Sequence, residues 1–325
     1  MTEYLTLQPM RVRIIALIVV WALHIVLPLA LQGVPYVVFI LTQMVFFTAF
    51  AFSFNFLFGF TRQLYLCIGA FAGISAYVTG IAVRDGLTGV LEAVVLGTLL
   101  TTALGWIVSV LSVRRKLVVI FTGIFTLAIT LVFNNMVVGL VSITGGETGF
   151  RIRLANLGPL EILPTNLRFY YVVTAVLIVL TAISYHMVYR TKVGYAYRCV
   201  MDDEFSAELV GINVSRVKTL TAAFSSGLAG LTGALYGLFN QLISPSYYSF
   251  SAIDLPAQII VILGGRATFF GPFIGSAIIT AVNEALRFLG PFTQVVYGLI
   301  LLLLLAFFRN GLVDFIRRRV VSWFY

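Results

Sequence analysis

Charge is scarce in this sequence: Asp, Glu, Lys and Arg make up 10% of 325 residues, 12 acidic against 21 basic. Two histidines and two cysteines complete a thin supply of metal-ligating and nucleophilic side chains. Cys67 and Cys199 are far apart and lack ligand spacing, so they read as free thiols and no metal site is expected. There is no G-x-x-x-x-G-K-[ST] phosphate loop, which argues against ATP binding and hydrolysis by that route, and no H-E-x-x-H or C-x-x-C pair. His24 and His186 stand alone near the ends of apolar runs and read as structural. Nothing in this inventory supports an enzyme, and no cofactor bound by the chain is expected. The net charge of +9 does not point to nucleic acid either, because Lys and Arg flank apolar runs instead of forming basic stripes with interleaved aromatics.

What is abundant is apolar surface. The chain is 60% hydrophobic, with a mean hydropathy of +1.04, beyond what a soluble domain carries. Windows of about 20 apolar residues, the length that crosses a bilayer, recur from Ile14 to Phe308. Spans are expected at 14–31, 36–58, 64–83, 91–112, 117–141, 169–189, 219–241, 255–265, 268–289 and 292–308, the eighth too short to cross alone. The expected fold is an all-α integral membrane protein, a polytopic bundle of about 8–10 transmembrane helices with one short or re-entrant segment. Residues 1–325 form one transmembrane domain, and the opening "MTEYLTLQPMRVR" leads into a retained first span, not a cleaved signal.

With ten passes and both termini in the cytoplasm, sixteen of the 21 Lys and Arg fall on the cytoplasmic side. Only Arg84, Arg151, Arg153 and Arg168 lie outside, and Arg287 sits near the outer end of the ninth span. The positive-inside rule favours this orientation in a plasma (inner) membrane and places residues 190–218 in the cytoplasm. The loop at 142–168 carries Gly145, Gly146, Gly149, Gly158, Pro159 and Pro164 and reads as a shaped outer loop. "RQLYLCIGAFAGISAY" and "RATFFGPFIGSAII" share an arginine followed by a small-residue helix, with Gly69 and Gly73 spaced like Gly271 and Gly275. Parallel duplication and ordinary small-xxx-small packing both account for that echo.

Within the spans the polar groups are neutral: Gln43, Asn55, Thr126, Thr130, Asn134, Asn135 and Gln258. A path for a neutral or zwitterionic solute needs such groups, so Asn134, Asn135, Thr126 and Thr130, with Gly69, Gly73, Gly271 and Gly275, are the pathway candidates; interhelical hydrogen bonding is the competing account. Glu92, Asp254, Glu284 and Arg287 lie toward span ends, Glu284 and Arg287 as a local i,i+3 pair. The apolar centres hold almost no carboxylate, which counts against a proton- or sodium-driven carrier.

One stretch is out of character, "YRCVMDDEFSAELVGINVSRVK", residues 197–218. Asp202 or Asp203 can cap a helix there, with Glu204 in its first turn. Met201, Phe205 and Leu209 share one face beside a Glu204/Glu208 stripe; Gly211 supplies a stop, and Asn213 or Ser215 a cap for the next span. An acidic helix is repelled by anionic lipid, so docking onto a cytoplasmic protein is the better account.

The run "GYAYRCVMDDEFSAELVGINVSRVKTLTAAFSSGLAGLTGALYG", with "ISPSYYSF", "VILGGRATFFGPFIGSAII", "FRNGL" and "TGGETGF", resembles the permease subunits of ATP-binding-cassette importers for branched-chain amino acids, of the M type. The resemblance covers roughly 40–315 and is strongest over 194–275. It implies a coupling loop at 190–218 whose "DDEFSAELVGI" element docks into an ATPase, with Asp202, Asp203, Glu204, Ala207, Glu208, Gly211 and Ile212 as coupling residues. It also implies a second permease subunit in a heterodimer, two cytoplasmic ATP-binding subunits that hydrolyse ATP, and an external solute-binding protein, in membrane lipid and without nucleic acid. Where that family reads close to "GQLSLGHGAF", this sequence has "RQLYLCIGAF", and branched-chain amino acids, urea, short amides and aromatic acids all stay open as the solute. A stand-alone secondary carrier or channel is the alternative class.

Overall fold

The computed structural model of the protein describes residues 34–152 and 167–287, with a few helical positions between 19 and 28 and between 296 and 299. Most of the expected first and tenth spans, and residues 153–166, lie outside the described residues. Pro35 occupies the first turn of helix α1 (Pro35–Phe54), where its missing N–H costs nothing, and α1 runs on through a π-helical turn, Asn55–Phe60. Then come α2 (Ile68–Arg84), α3 (Val90–Arg114), α4 (Val119–Gly139), the short α5 (Val141–Thr144), α6 (Leu167–Arg190), α7 (Lys192–Asp202), α8 (Glu204–Leu209), α9 (Val214–Asn240), α10 (Leu255–Gly264) and α11 (Gly271–Leu286).

Among the described residues five helices are long and apolar enough to cross a membrane: Pro35–Phe60, Val90–Arg114, Val119–Gly139, Tyr170–Arg190 and Val214–Asn240. They are the expected second, fourth, fifth, sixth and seventh spans, and they make this a multi-pass membrane protein. The third span departs from expectation. Its helix starts at Ile68, so α2 is only about 25 Å long, and Gln63–Cys67 run without helix, with Gln63, Tyr65 and Cys67 fully enclosed. The ninth likewise starts late, at Gly271, and α10 has ten residues, as short as expected.

The bundle is built on α1 and α9. Ser53 and Ser225 exchange hydroxyl-to-carbonyl hydrogen bonds between them, and the Thr48 and Ser276 hydroxyls meet at 2.6 Å between α1 and α11. Phe52 packs edge-on against Phe269 and Phe273. The glycine-rich α9 is wedged between α2 and α3. A Cβ on Gly233 would lie 2.3 Å from the Ala72 backbone, and one on Gly230 2.0 Å from Thr101 Oγ1. The glycine run therefore serves close packing.

Gly271 and Gly275, taken as pathway candidates, do the same for α10 and α11. A Cβ on Gly271 would meet the Gly265 carbonyl at 2.5 Å, and one on Gly275 the Ile260 carbonyl at 2.3 Å. The outer faces of α3 and α4 stay apolar and exposed, through Leu91, Leu99, Ile120, Phe121 and Val132. A small antiparallel ladder pairs β1 (Phe150–Arg151) with β2 (Leu242–Ile243), tying the loop after α5 to the end of α9.

Gly233→Val should force α2 and α9 apart and lower stability by roughly 1–3 kcal/mol, the usual cost of overpacking. Thermal unfolding in detergent checks this against Gly139→Val, whose surroundings are open within 4 Å.

Candidate functional site

Two features collect the polar chemistry: the interrupted backbone before α2, and the loop 190–218.

At the first, the chain leaves the π-turn with Arg62 at φ 52° and continues without regular structure, bending at Leu66, until α2 begins. Non-helical backbone enclosed by apolar helices must find partners for each N–H and C=O. Gln63 N–H donates to the Leu57 carbonyl at 2.9 Å. Leu66 N–H donates to Thr126 Oγ1 at 2.9 Å, and the Leu66 carbonyl accepts from Thr130 Oγ1 at 2.6 Å. Thr126 and Thr130, one turn apart on α4, thus clamp a single residue from both sides.

The first turn of α2 rests on Asp254. Its Oδ1 accepts from Ile68 N–H at 2.7 Å and its Oδ2 from Gly69 N–H at 3.1 Å, and the residue is 1% exposed. Sequence reasoning set Asp254 aside as a span-end charge; it is a fully enclosed carboxylate that caps a broken helix, where the macrodipole favours negative charge. A Cβ on Gly69 would sit 2.7 Å from that carboxylate, and one on Gly73 2.3 Å from the Phe133 ring, so both residues mark close approach.

The break before α11 is held from the opposite direction. Asn55 Oδ1 accepts from Ala267 N–H at 2.8 Å while its Nδ2 donates to the Thr268 carbonyl at 2.9 Å. A residue from α1's end pins the second break, and one from the start of α10 pins the first.

Of the eight pathway candidates, Thr126, Thr130 and the four glycines are thus engaged in holding or packing backbone. Asn135 is exposed and donates to its own helix at the Leu131 carbonyl. Asn134 differs: its Oδ1 is enclosed without a partner among the described residues, as is Gln258 Nε2. A separate cleft of ≈ 130 Å³ lies between α1 and α11, lined by Tyr36, Gln43, Asn283, Glu284 and Arg287 among others. Its charges are taken up internally: Tyr36 donates to Glu284, Arg287 reaches both the Tyr36 hydroxyl and ring, and Glu284 and Arg287 approach to 3.9 Å.

The loop 190–218 holds two helices where the sequence led us to expect one. Thr191 caps α7, its Oγ1 accepting from Val193 N–H at 3.2 Å. Asp203, extended at φ −157°, interrupts the helix, so Met201 belongs to α7 and does not continue the face of Phe205 and Leu209. Asp203, not Asp202, is the cap of α8. It accepts from the Ser206 hydroxyl at 2.6 Å and Ser206 N–H at 2.9 Å, which hold its carboxyl below the usual carboxylate range, with a smaller contribution from Arg62.

Gly211, at φ 84°, ends α8 in a left-handed residue. Ile212 N–H donates to the Ala207 carbonyl and Gly211 N–H to Glu208, the paired bonds of a Schellman motif. Ala207 and Ile212 pack with Val200 and Val214 in a separate small cluster. Asn213 then caps α9 through Arg216 N–H at 2.8 Å.

The acidic stripe is split. Glu204 binds Lys218 Nζ of α9 at 2.5 Å, so its charge is used within the chain, whereas Asp202 and Glu208 are exposed. What α8 presents is apolar: Phe205 is 69% exposed, Leu209 73% and Val210 71%. Flanked by Glu208, these three form a capped, rigid knob at the end of the bundle.

A multi-pass helical bundle with interrupted helices and a capped interhelical loop suits a transport permease. The chain belongs to the family described as "Branched-chain amino acid transport system / permease component", whose profile matches residues 36–307. It is similar to the high-affinity branched-chain amino acid transport system permease protein LivM of Escherichia coli (strain K12), 23% identical over 81% of this chain and 66% of that protein. The LivM of Salmonella typhimurium is 24% identical over 46% of this chain and 35% of that protein. The permease protein LivH of the same bacterium is 36% identical over 30% of each. The chain thus spans at most 66% of the length of these relatives. No solved structure matches it.

Thr126→Val removes the acceptor from an enclosed Leu66 N–H and should lower stability in detergent by about 1–3 kcal/mol. Solute selectivity of uptake should stay as in the unmodified chain; altered selectivity would instead put Thr126 on the pathway.

Proposed function

We propose that the chain is the permease subunit of an ATP-driven importer for a branched-chain amino acid or a similar small solute. It works as a heterodimer with a second permease, two cytoplasmic ATP-binding subunits and an external solute-binding protein, in the plasma (inner) membrane with both termini cytoplasmic. ATP is hydrolysed by the partner subunits. The observation that carries this reading is the knob on α8: Phe205, Leu209 and Val210 exposed on a helix capped at both ends, in a family of transport permeases.

Such a knob fits an apolar groove with basic groups at its rim, where Glu208 and Asp202 add orientation and Phe205 is the buried anchor. Asp203, Gly211 and Ile212 act on docking indirectly, by fixing the ends of α8, and Ala207 by seating it on α7 and α9. When the ATP-binding subunits close, the seated helix moves with them, and the permease switches between two packed states. Of the neutral polar residues singled out in the spans, Asn134 and Gln258 each keep an enclosed atom without a partner among the described residues and are the candidates to meet a solute or the second permease.

Gradient-driven carriers commonly use a carboxylate that can exchange its partner, and Asp254 is the enclosed one among the described residues. Both its oxygens are bound to the α2 backbone, which favours a structural role.

Phe205→Asp and Glu208→Lys should each release the ATP-binding subunits, cutting co-purified ATPase activity at least about tenfold, the effect of losing an interface hot spot, while the chain stays in the membrane. Glu208 is a cleaner choice than Glu204, whose reversal would also break the Lys218 pair. Undiminished co-purification in both variants would count against docking through α8, and a wild-type chain that transports without ATP would turn the reading to a carrier.

A further inference from the structure

The interrupted backbone and the docking loop meet at Gln63. This side chain is 5% exposed, and all its hydrogen-bonding atoms are engaged. Its Nε2 donates to Thr61 Oγ1 at 2.9 Å and to the Lys218 carbonyl of α9 at 3.1 Å, and its Oε1 accepts from Ser109 Oγ of α3 at 3.4 Å. Lys218 is also the residue whose Nζ holds Glu204 of α8. One residue therefore faces the docking helix with its side chain and Gln63 with its carbonyl.

Beyond Gln63 the chain has no helical hydrogen bonds to resist rotation until Ile68. It is held at Leu66 by Thr126 and Thr130, at the Cys67 carbonyl by Phe71 N–H, and at Ile68 and Gly69 by Asp254, with the Tyr65 and Cys67 side chains buried. A shift at Lys218, near the start of α9, would pass through its carbonyl to Gln63 and turn the backbone of residues 63–67 as one arm of a hinge, while α1 and α9 stay joined further along through Ser53 and Ser225. The geometry points to Gln63 as the positioning residue that carries displacement of α8 into the broken start of α2. The inference rests on the proposed function, since it needs an ATP-binding subunit to move α8.

A merely structural Gln63 would fill space and satisfy Lys218 and Thr61 without transmitting anything. Hydrogen exchange separates the two accounts. The complex of this chain with its co-purified ATP-binding subunits is compared with and without trapping by ADP and vanadate, for the wild type and for Gln63→Met and Gln63→Leu, both of which remove the donor. In the wild type, trapping changes exchange at 204–212 and at 64–69. In either variant the change at 204–212 persists and that at 64–69 falls at least about fivefold, the lower range of allosteric couplings.

If the wild type responds at 204–212 but not at 64–69, or if the variants keep the full response at both, the relay is overturned while the permease reading stands. If the wild type carries no ATP-binding subunit, the proposed function falls and the relay with it. The wild-type comparison tests whether 64–69 responds at all, and the two variants, read separately, test whether Gln63 carries that response.

Discussion

The structure depends on satisfying buried backbone where helices are interrupted. A continuous helix in an apolar environment meets this requirement by itself, but residues 62–67 and 265–270 do not form one, and each of their main-chain groups needs a partner from elsewhere. The partners come from few residues: Thr126 and Thr130 on α4, Asp254 before α10, and Asn55 at the end of α1. Because an unmet N–H or C=O costs more than a hydrogen bond returns, these side chains fix where α4, α10 and α1 stand relative to the breaks. The polar residues of the spans are therefore mostly spent on architecture.

Close packing completes what the pins begin. Glycines on α2, α3, α9 and α11 remove the side chains that would hold neighbouring backbones apart, so serine and threonine hydroxyls can reach across. Without a hydrophobic force between helices in lipid, such short contacts are what hold a bundle together. The loop 190–218 is organised differently. There α8 is only six residues long, too short to persist alone, and it depends on the Asp203 cap, the Gly211 stop and the seat beneath Ala207. In the proposed function, these caps and this seat let α8 pass a partner's motion on.

Much was legible beforehand. The membrane class, five of the spans, the short α10, the end of α8 at Gly211 and the Glu284–Arg287 pair all follow from hydropathy, spacing and turn chemistry. The cap was narrowed to Asp202 or Asp203, and backbone conformation chose Asp203. Other features were invisible because they pair residues remote in the chain. Nothing local distinguishes Thr126 as a clamp from Thr126 as a solute ligand, or signals that Glu204 will be taken up by Lys218. A run such as "RQLYLC" is apolar enough to extend a helix, so its departure from helix is not written in hydropathy.

The sequence by itself determined that this chain belongs in a membrane, where its five long described spans lie, and that 190–218 differs from the rest, since composition and periodicity are local properties. Only the tertiary structure decided which polar groups are spent on backbone and which remain available. Burial and hydrogen bonding are settled by neighbours far along the chain, 213 residues away for Asn55 and Thr268 and 228 for Thr48 and Ser276, and such distances leave no periodic trace in the chain.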